Sequence, residues 1–145
     1  MTIQAQILEL LRELRRATGT AILLITHDLG IVAETADRVA VMYAGRIVEE
    51  APIARLFRAP QHPYTIGLLG AVPRLVGGRS RLATIEGNVP DAARLPAGCR
   101  FAPRCPFREV GCRAANPPLV ELSPGHRAAC LRAPLDVSLF GGRAA

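Results

Sequence analysis

Ile3, Ile7, Leu10, Leu11 and Leu14 recur at three- and four-residue spacing, with Glu9, Arg12, Glu13 and Arg16 between them. That period predicts an amphipathic helix over residues 3–16, with Thr2 as its N-cap and Gly19 as its stop. The pattern then changes. Residues 21–26, Ala-Ile-Leu-Leu-Ile-Thr, are almost continuously apolar, as in a strand buried on both faces of a parallel sheet. His27 and Asp28 follow, and Asp28 is placed to cap a short helix over residues 29–36. Residues 38–43 predict a second strand, Ala44-Gly45 a turn, and residues 46–50 a third strand that closes a hairpin.

Beyond residue 50 the periodic stretches shorten. Residues 52–59 and 63–71 predict two short helices separated by Pro60-Gln61-His62-Pro63, the second ending at Pro73. Residues 76–81, Val-Gly-Gly-Arg-Ser-Arg, read as a flexible link. From Leu82 onward turns dominate, at Pro90, Pro96, Pro103, Pro106, Pro117-Pro118 and Pro124. No internal repeat is present. The first fifty residues thus read as half of an α/β domain whose first strand needs neighbours, followed by a small irregular extension.

Composition changes this picture in one respect. The net charge of +6 invites nucleic-acid binding. The positive charge is all arginine, however, with no lysine, and it is uneven. Residues 1–50 carry five Arg against seven acids, net −2, and residues 51–145 carry thirteen against five, net +8. Four Phe and two Tyr offer little stacking surface for single strands, so no nucleic-acid partner is expected. No run of eighteen apolar residues occurs, so no spanning helix is expected. The acid-containing first helix does not read as a signal peptide. A cytoplasmic setting is the expectation, and there disulfides are rare.

His27 stands at the carboxyl end of an apolar strand, where open α/β sheets bind ligands. By position alone it reads more readily as a hydrogen-bonded structural residue. The surrounding residues say more. Leu24-Ile25-Thr26-His27-Asp28-Leu29, then Ala36-Asp37-Arg38-Val39 and Gly45-Arg46-Ile47-Val48-Glu49, resemble the switch-histidine segment of ABC transporter ATP-binding subunits. The resemblance implies that His27 contacts the γ-phosphate of ATP. A phosphate-cradling P-loop needs glycines and a lysine, and the chain has no lysine. A Gln loop, a signature motif and an Asp-Glu pair for Mg²⁺ are also missing. The sequence reads as though it begins just after the turn that follows that pair.

Cys99, Cys105, Cys112 and Cys130 are the only cysteines and fall within 32 residues, with five, six and seventeen residues between them. This is not the Cys-x-x-Cys spacing of common zinc ribbons. Four thiolates in a turn-rich stretch suit either a [4Fe–4S] cluster or a structural Zn²⁺. Arg100, Arg104, Arg108, Arg113, Arg127 and Arg132 flank them and are expected to favour the thiolate forms. Disulfides and inert buried thiols are the competing readings.

The segments Gln61-His62-Pro63-Tyr64-Thr65, Ala71-Val72-Pro73, Leu82-Ala83-Thr84-Ile85-Glu86-Gly87 and Gly98-Cys99-Arg100-Phe101-Ala102-Pro103-Arg104-Cys105-Pro106 resemble the C-terminal extension of dipeptide, oligopeptide and nickel importer ATP-binding subunits. Ala51 stands where that family usually has Gly. The resemblance favours the cluster over zinc on the four cysteines. His62, between Gln61 and Pro63, reads as a ligand or as a structural turn residue, and packing and interface roles are expected for the His62-Pro63-Tyr64 segment. It implies the C-terminal part of a P-loop NTPase domain over residues 1–50, short helices and a link over 51–81, a cysteine-containing extension over 82–132, and a tail over 133–145. It implies ATP with Mg²⁺, inner-membrane permease subunits and a second ATP-binding subunit as partners. The expected location is the inner face of the plasma membrane, as a peripheral protein. The expected function is part of a peptide-import ATPase, not hydrolysing ATP by itself. A stand-alone metal or iron–sulfur module on residues 82–132 is the alternative.

Overall fold

The computed structural model describes residues 3–71 and 85–136 of the chain. The expected Thr2 cap, the helix end at Pro73, the link over 76–81 and tail residues 137–145 lie outside the described residues. The chain forms two compact units, Met1–Asp37 and Arg38–Ala145.

In the first unit, α1 spans Ile3–Thr18. It stops at Gly19, whose φ of 68° suits the residue after a helix and whose N–H donates to Arg15 O at 2.9 Å. Its apolar stripe lies open, with Ile3, Ile7, Leu10 and Leu14 all exposed. Residues 21–26 are a correction to the expected buried strand: no strand forms there. A strand exists by exchanging backbone hydrogen bonds with a neighbour, and among the described residues none pairs with this segment. Exposure alternates instead, with Ile22 at 41% and Leu24 at 43% against Leu23 at 89% and Ile25 at 90%. That period of two keeps the imprint of a pleated segment without its sheet. Asp28 caps α2 (Leu29–Thr35) as expected, its Oδ1 accepting from Gly30 N at 2.9 Å and Ile31 N at 3.2 Å.

The second unit is built on an antiparallel hairpin. β1 (Arg38–Tyr43) and β2 (Arg46–Pro52) pair from Arg38↔Pro52 to Tyr43↔Arg46. The turn Ala44-Gly45 has positive φ at both residues, 45° and 79°, the tight form that matches strand twist. Helices α3 (Ile53–Arg58) and α4 (Pro63–Gly70) follow close to the expected bounds. A short 3-10 turn at Ala102–Arg104 and a one-turn α5 (Gly111–Ala114) then lead to a second hairpin, β3 (Val120–Ser123) and β4 (His126–Ala128). The prolines of this stretch predict a segment dominated by turns, and the second hairpin adds to that expectation.

β4 adds to β2, through Glu49↔Ala128 and Glu50↔Arg127, so the four strands run β1-β2-β4-β3 in one antiparallel sheet. The cysteine-bearing segment therefore shares a sheet with the first hairpin. It shares a core as well. Val41, Tyr43, Val48, Ala51, Leu56 and Phe101 are buried together, with Cys99 and Cys105 packed against them. Tyr43, Tyr64 and Phe101 stack at ring-centroid distances of 4.6 to 5.5 Å. Few aromatics are present, but three of them meet at this one point. A stand-alone module on residues 82–132 is not supported, because removing residues 38–56 would strip it of both sheet neighbour and core.

Candidate functional site

All four cysteines line one small pocket beside this core, together with His62, Phe101, Phe107, Leu131 and Arg132. Its room is about that of one water molecule. Local backbone turns bring the thiols there. Cys99 N donates to Cys112 O at 2.8 Å, which ties the first and third cysteines. Gly98 makes this approach fit: a Cβ on it would lie 2.4 Å from Cys112 O and 2.7 Å from Arg113 O. Backbone N–H groups point at the sulfurs. Phe101 and Ala102 donate to Cys99, Phe107 to Cys105, and Arg132 and Ala133 to Cys130.

All four cysteines are free thiols. Burial pushes Cys99 and Cys130 above the ordinary thiol range and Cys105 up to about 11, and the neighbouring thiols raise them further. The expectation that the flanking arginines lower these values is corrected. Five of the six guanidinium groups are engaged with other partners. Arg100 donates to Ala44 O, Arg104 to Ile85 O and Glu86 O, and Arg108 to Pro103 O. Arg127 pairs with Glu50 and Arg132 with Glu109. Burial is the largest influence on these three thiols, so desolvation decides the direction.

The donor set is soft, with four thiols and no carboxylate on the pocket wall. That composition suits a thiophilic group. Among the described residues, however, no three His, Cys, Asp or Glu side chains are grouped as a single metal ion requires.

Beside the pocket lies a buried polar hub that the sequence reading missed. Glu49 is wholly buried in β2. Its Oε1 accepts from Gln61 N at 2.6 Å and its Oε2 from His62 N at 2.9 Å. Oε1 also lies 2.8 Å from His126 Nε2 on β4. Gln61 reaches the far end of the chain, exchanging hydrogen bonds with Leu135 N and O at 2.6 and 3.2 Å. A charged residue type at an inward strand position was the available signal, obscured because Glu49 and Glu50 are adjacent. His62 is buried and N-caps α4, its Nδ1 accepting from Tyr64 N at 3.1 Å. Burial holds its pKa down at about 4. This agrees with the packing role expected for the His-Pro-Tyr segment.

His27 is exposed in the first unit, just before the Asp28 cap. Among the described residues no helix is long and apolar enough to cross a membrane.

Comparison with known proteins adds the wider context. Residues 48–112 match the family profile described as oligopeptide/dipeptide transporter, C-terminal region. The chain is 51% identical over 138 residues to a putative peptide import ATP-binding protein of Brucella ovis, covering 91% of the chain and 41% of that protein. It is 52% identical over 136 residues to an oligopeptide transport ATP-binding protein of Mycobacterium bovis, covering 93% of the chain and 22% of that protein. It is 54% identical over 140 residues to a probable peptide ABC transporter ATP-binding protein of Sinorhizobium fredii, covering 96% of the chain and 42% of that protein. The chain thus spans less than half the length of these relatives. With the profile falling on β2, α4 and the first three cysteines, and half of all aligned residues identical, the chain is a relative, over nearly its whole length, of part of the peptide and oligopeptide ABC-transporter ATP-binding proteins, and it carries the C-terminal region that the profile describes.

Proposed function

We propose that this chain is the C-terminal portion of a transport ATPase subunit that couples ATP hydrolysis to peptide uptake. The observation that carries the reading is identity above 50% across more than nine-tenths of the chain with proteins named for peptide import and ATP binding. In this reading the first unit completes a P-loop NTPase domain, and the bare stripe of α1 and the unpaired segment 21–26 are covered by the rest of that domain. His27 contacts the γ-phosphate of ATP bound with Mg²⁺, donating to a phosphate oxygen and orienting the attacking water. The permease subunits and a second ATP-binding subunit are the partners, at the inner face of the plasma membrane. The 145-residue chain by itself does not turn over ATP, since it has no lysine for a P-loop.

The second unit holds a [4Fe–4S] cluster on Cys99, Cys105, Cys112 and Cys130 in the same reading, with zinc the alternative. The shared pocket, the all-thiol donor set and the backbone N–H groups on three sulfurs support it. The family resemblance favours a cluster over a single ion. Its role is structural, fastening a segment that has little core of its own.

The test is a hybrid in which this chain replaces the matching portion of the M. bovis relative. Expected are ATP turnover by the hybrid and its sharp loss in His27→Ala with ATP binding kept. Unchanged turnover in that variant would refute the switch role. Phosphate release by the isolated chain would refute its inactivity. For the cluster, anaerobic reconstitution with iron and sulfide should give about four irons per chain and absorption near 400 nm. Stoichiometric zinc without iron would overturn it.

A further inference from the structure

β4 is shorter than the strand it joins. β2 runs from Arg46 to Pro52, whereas β4 pairs with it at Glu49 and Glu50, and one further bond, from Ala129 N to Val48 O at 2.8 Å, extends the pairing. After Ala129 the chain turns to the cysteine pocket, which Cys130 and Leu131 line. On the other side of β4, β3 begins at Val120, opposite Ala128, and residues 116–119 lead into it. The order β1-β2-β4-β3 sets the lines of β2 and β3 two strand spacings apart, about 10 Å. Where β4 stops, a slot one strand wide is left between them. It is seen as a groove of about 650 Å³, with Met42 and Ile47 on one wall, Pro117, Pro118 and Leu119 on the other, and Ala129 where β4 ends. A groove of that size suits a small ligand.

Its lining changes along its length. Val48, Leu119 and Ala129 stand at the β4 end. Arg46 follows the Ala44-Gly45 turn, Arg100 donates to Ala44 O, and Asn116 is the lining residue of that wall farthest along the chain from β3. The polar groups thus gather at the turn end. Met42 and Ile47 beside them are exposed apolar side chains.

We propose that this groove binds a short extended peptide, its apolar side chains along the Ile47 and Leu119 walls and its terminal carboxylate against Arg46 and Arg100. The wall of residues 116–119 has the length of about four extended residues at about 3.3 Å each. The planar fork of arginine matches a carboxylate. Pro117 and Pro118 have no N–H, so contact with their wall is apolar, and β2 is the side open to an incoming backbone. The proposal depends on neither the transport reading nor the cluster reading.

The test titrates the full chain, by fluorescence anisotropy, with the dye-labelled tetrapeptide Val-Leu-Val-Leu ending in a free carboxylate and with the same peptide ending in an amide. Expected is saturable binding of the acid, and binding of the amide about tenfold weaker because a charge-assisted pair is lost. Arg46→Ala should weaken the acid by a similar factor. Arg38→Ala, which removes an arginine of the same sheet outside the groove, should leave it unchanged. Equal losses in the two variants would mean diffuse attraction to a basic surface and would overturn the proposal. Equal affinity for acid and amide overturns it too, as does the absence of saturation by the acid at about 1 mM. Tighter binding of an amidated peptide with internal glutamates would make the occupant an acidic segment of another protein, and overturns it as well. The comparison of acid with amide needs no substitution, so it decides even where a variant folds poorly.

Discussion

Replacing Glu49 by alanine should be among the most damaging single changes in the second unit. The carboxyl is wholly buried and satisfies Gln61 N and His62 N, with His126 Nε2 as a third neighbour. Alanine leaves two backbone N–H groups without acceptors, and neither has water access. Each orphaned buried group costs about 1–3 kcal/mol, so the pair alone costs about 2–6 kcal/mol. A domain of this size has about 5–15 kcal/mol in total. Glu49→Gln keeps one acceptor oxygen but turns an NH₂ toward a donor, so its cost should be nearer 1–3 kcal/mol. Glu50→Ala is the control: Glu50 pairs with Arg38 and Arg127 at the sheet surface, where ion pairs are worth at most about 1 kcal/mol. Urea unfolding followed by far-ultraviolet circular dichroism reads the series. With a slope of about 1–2 kcal/mol per molar, the Glu49→Ala midpoint should fall by at least 1 M. A midpoint equal to that of Glu50→Ala would refute the reasoning, and equal damage from Gln and Ala would show that charge matters there rather than acceptor count.

Two further outcomes follow from the same neighbourhood. Gly98→Ala places a Cβ 2.4 Å from Cys112 O, so the 98–99 and 112–113 backbones must separate; a loss of about 1–3 kcal/mol is expected, together with weaker iron uptake, and parent-like values for both would show that the backbone yields freely. Burial holds His62 down at about 4, while the unfolded chain takes up that proton near the ordinary value of about 6.5. The folded state then binds fewer protons between these values, so His62 contributes its full stability above about pH 6.5 and loses it as pH falls toward 4, by about 2–3 kcal/mol. Urea midpoints measured across that range should slope less in His62→Asn than in the parent, and parallel curves would remove His62 as the cause.

What the sequence revealed and what it hid divide along a physical line. The β1–β2 hairpin, the Asp28 cap and helices α3 and α4 were legible because each is specified locally, by side-chain period or by one capping residue. The segment 21–26 was misread for the complementary reason. Its apolar run describes a strand's burial, but strand formation depends on a partner that residues 3–71 and 85–136 do not supply. β3 and β4, of four and three residues, are too short to show a period and owe their existence to β2. The four cysteines stood out by type, and the structure places them on one pocket, while among the described residues no metal-holding group forms. Their electrostatics did not follow from sequence neighbours, because a flanking arginine is near in the chain yet free to turn toward a carbonyl. Glu49 was the deepest omission, since nothing in Val48-Glu49-Glu50 distinguishes the two acids. Strand alternation sends one into the core and the other to the surface. The inward one then finds two N–H groups on the loop that carries His62. The hub thus fixes the position of a residue on the cysteine pocket from 13 positions away. A substitution at Glu49 should therefore be felt at the thiols without touching them.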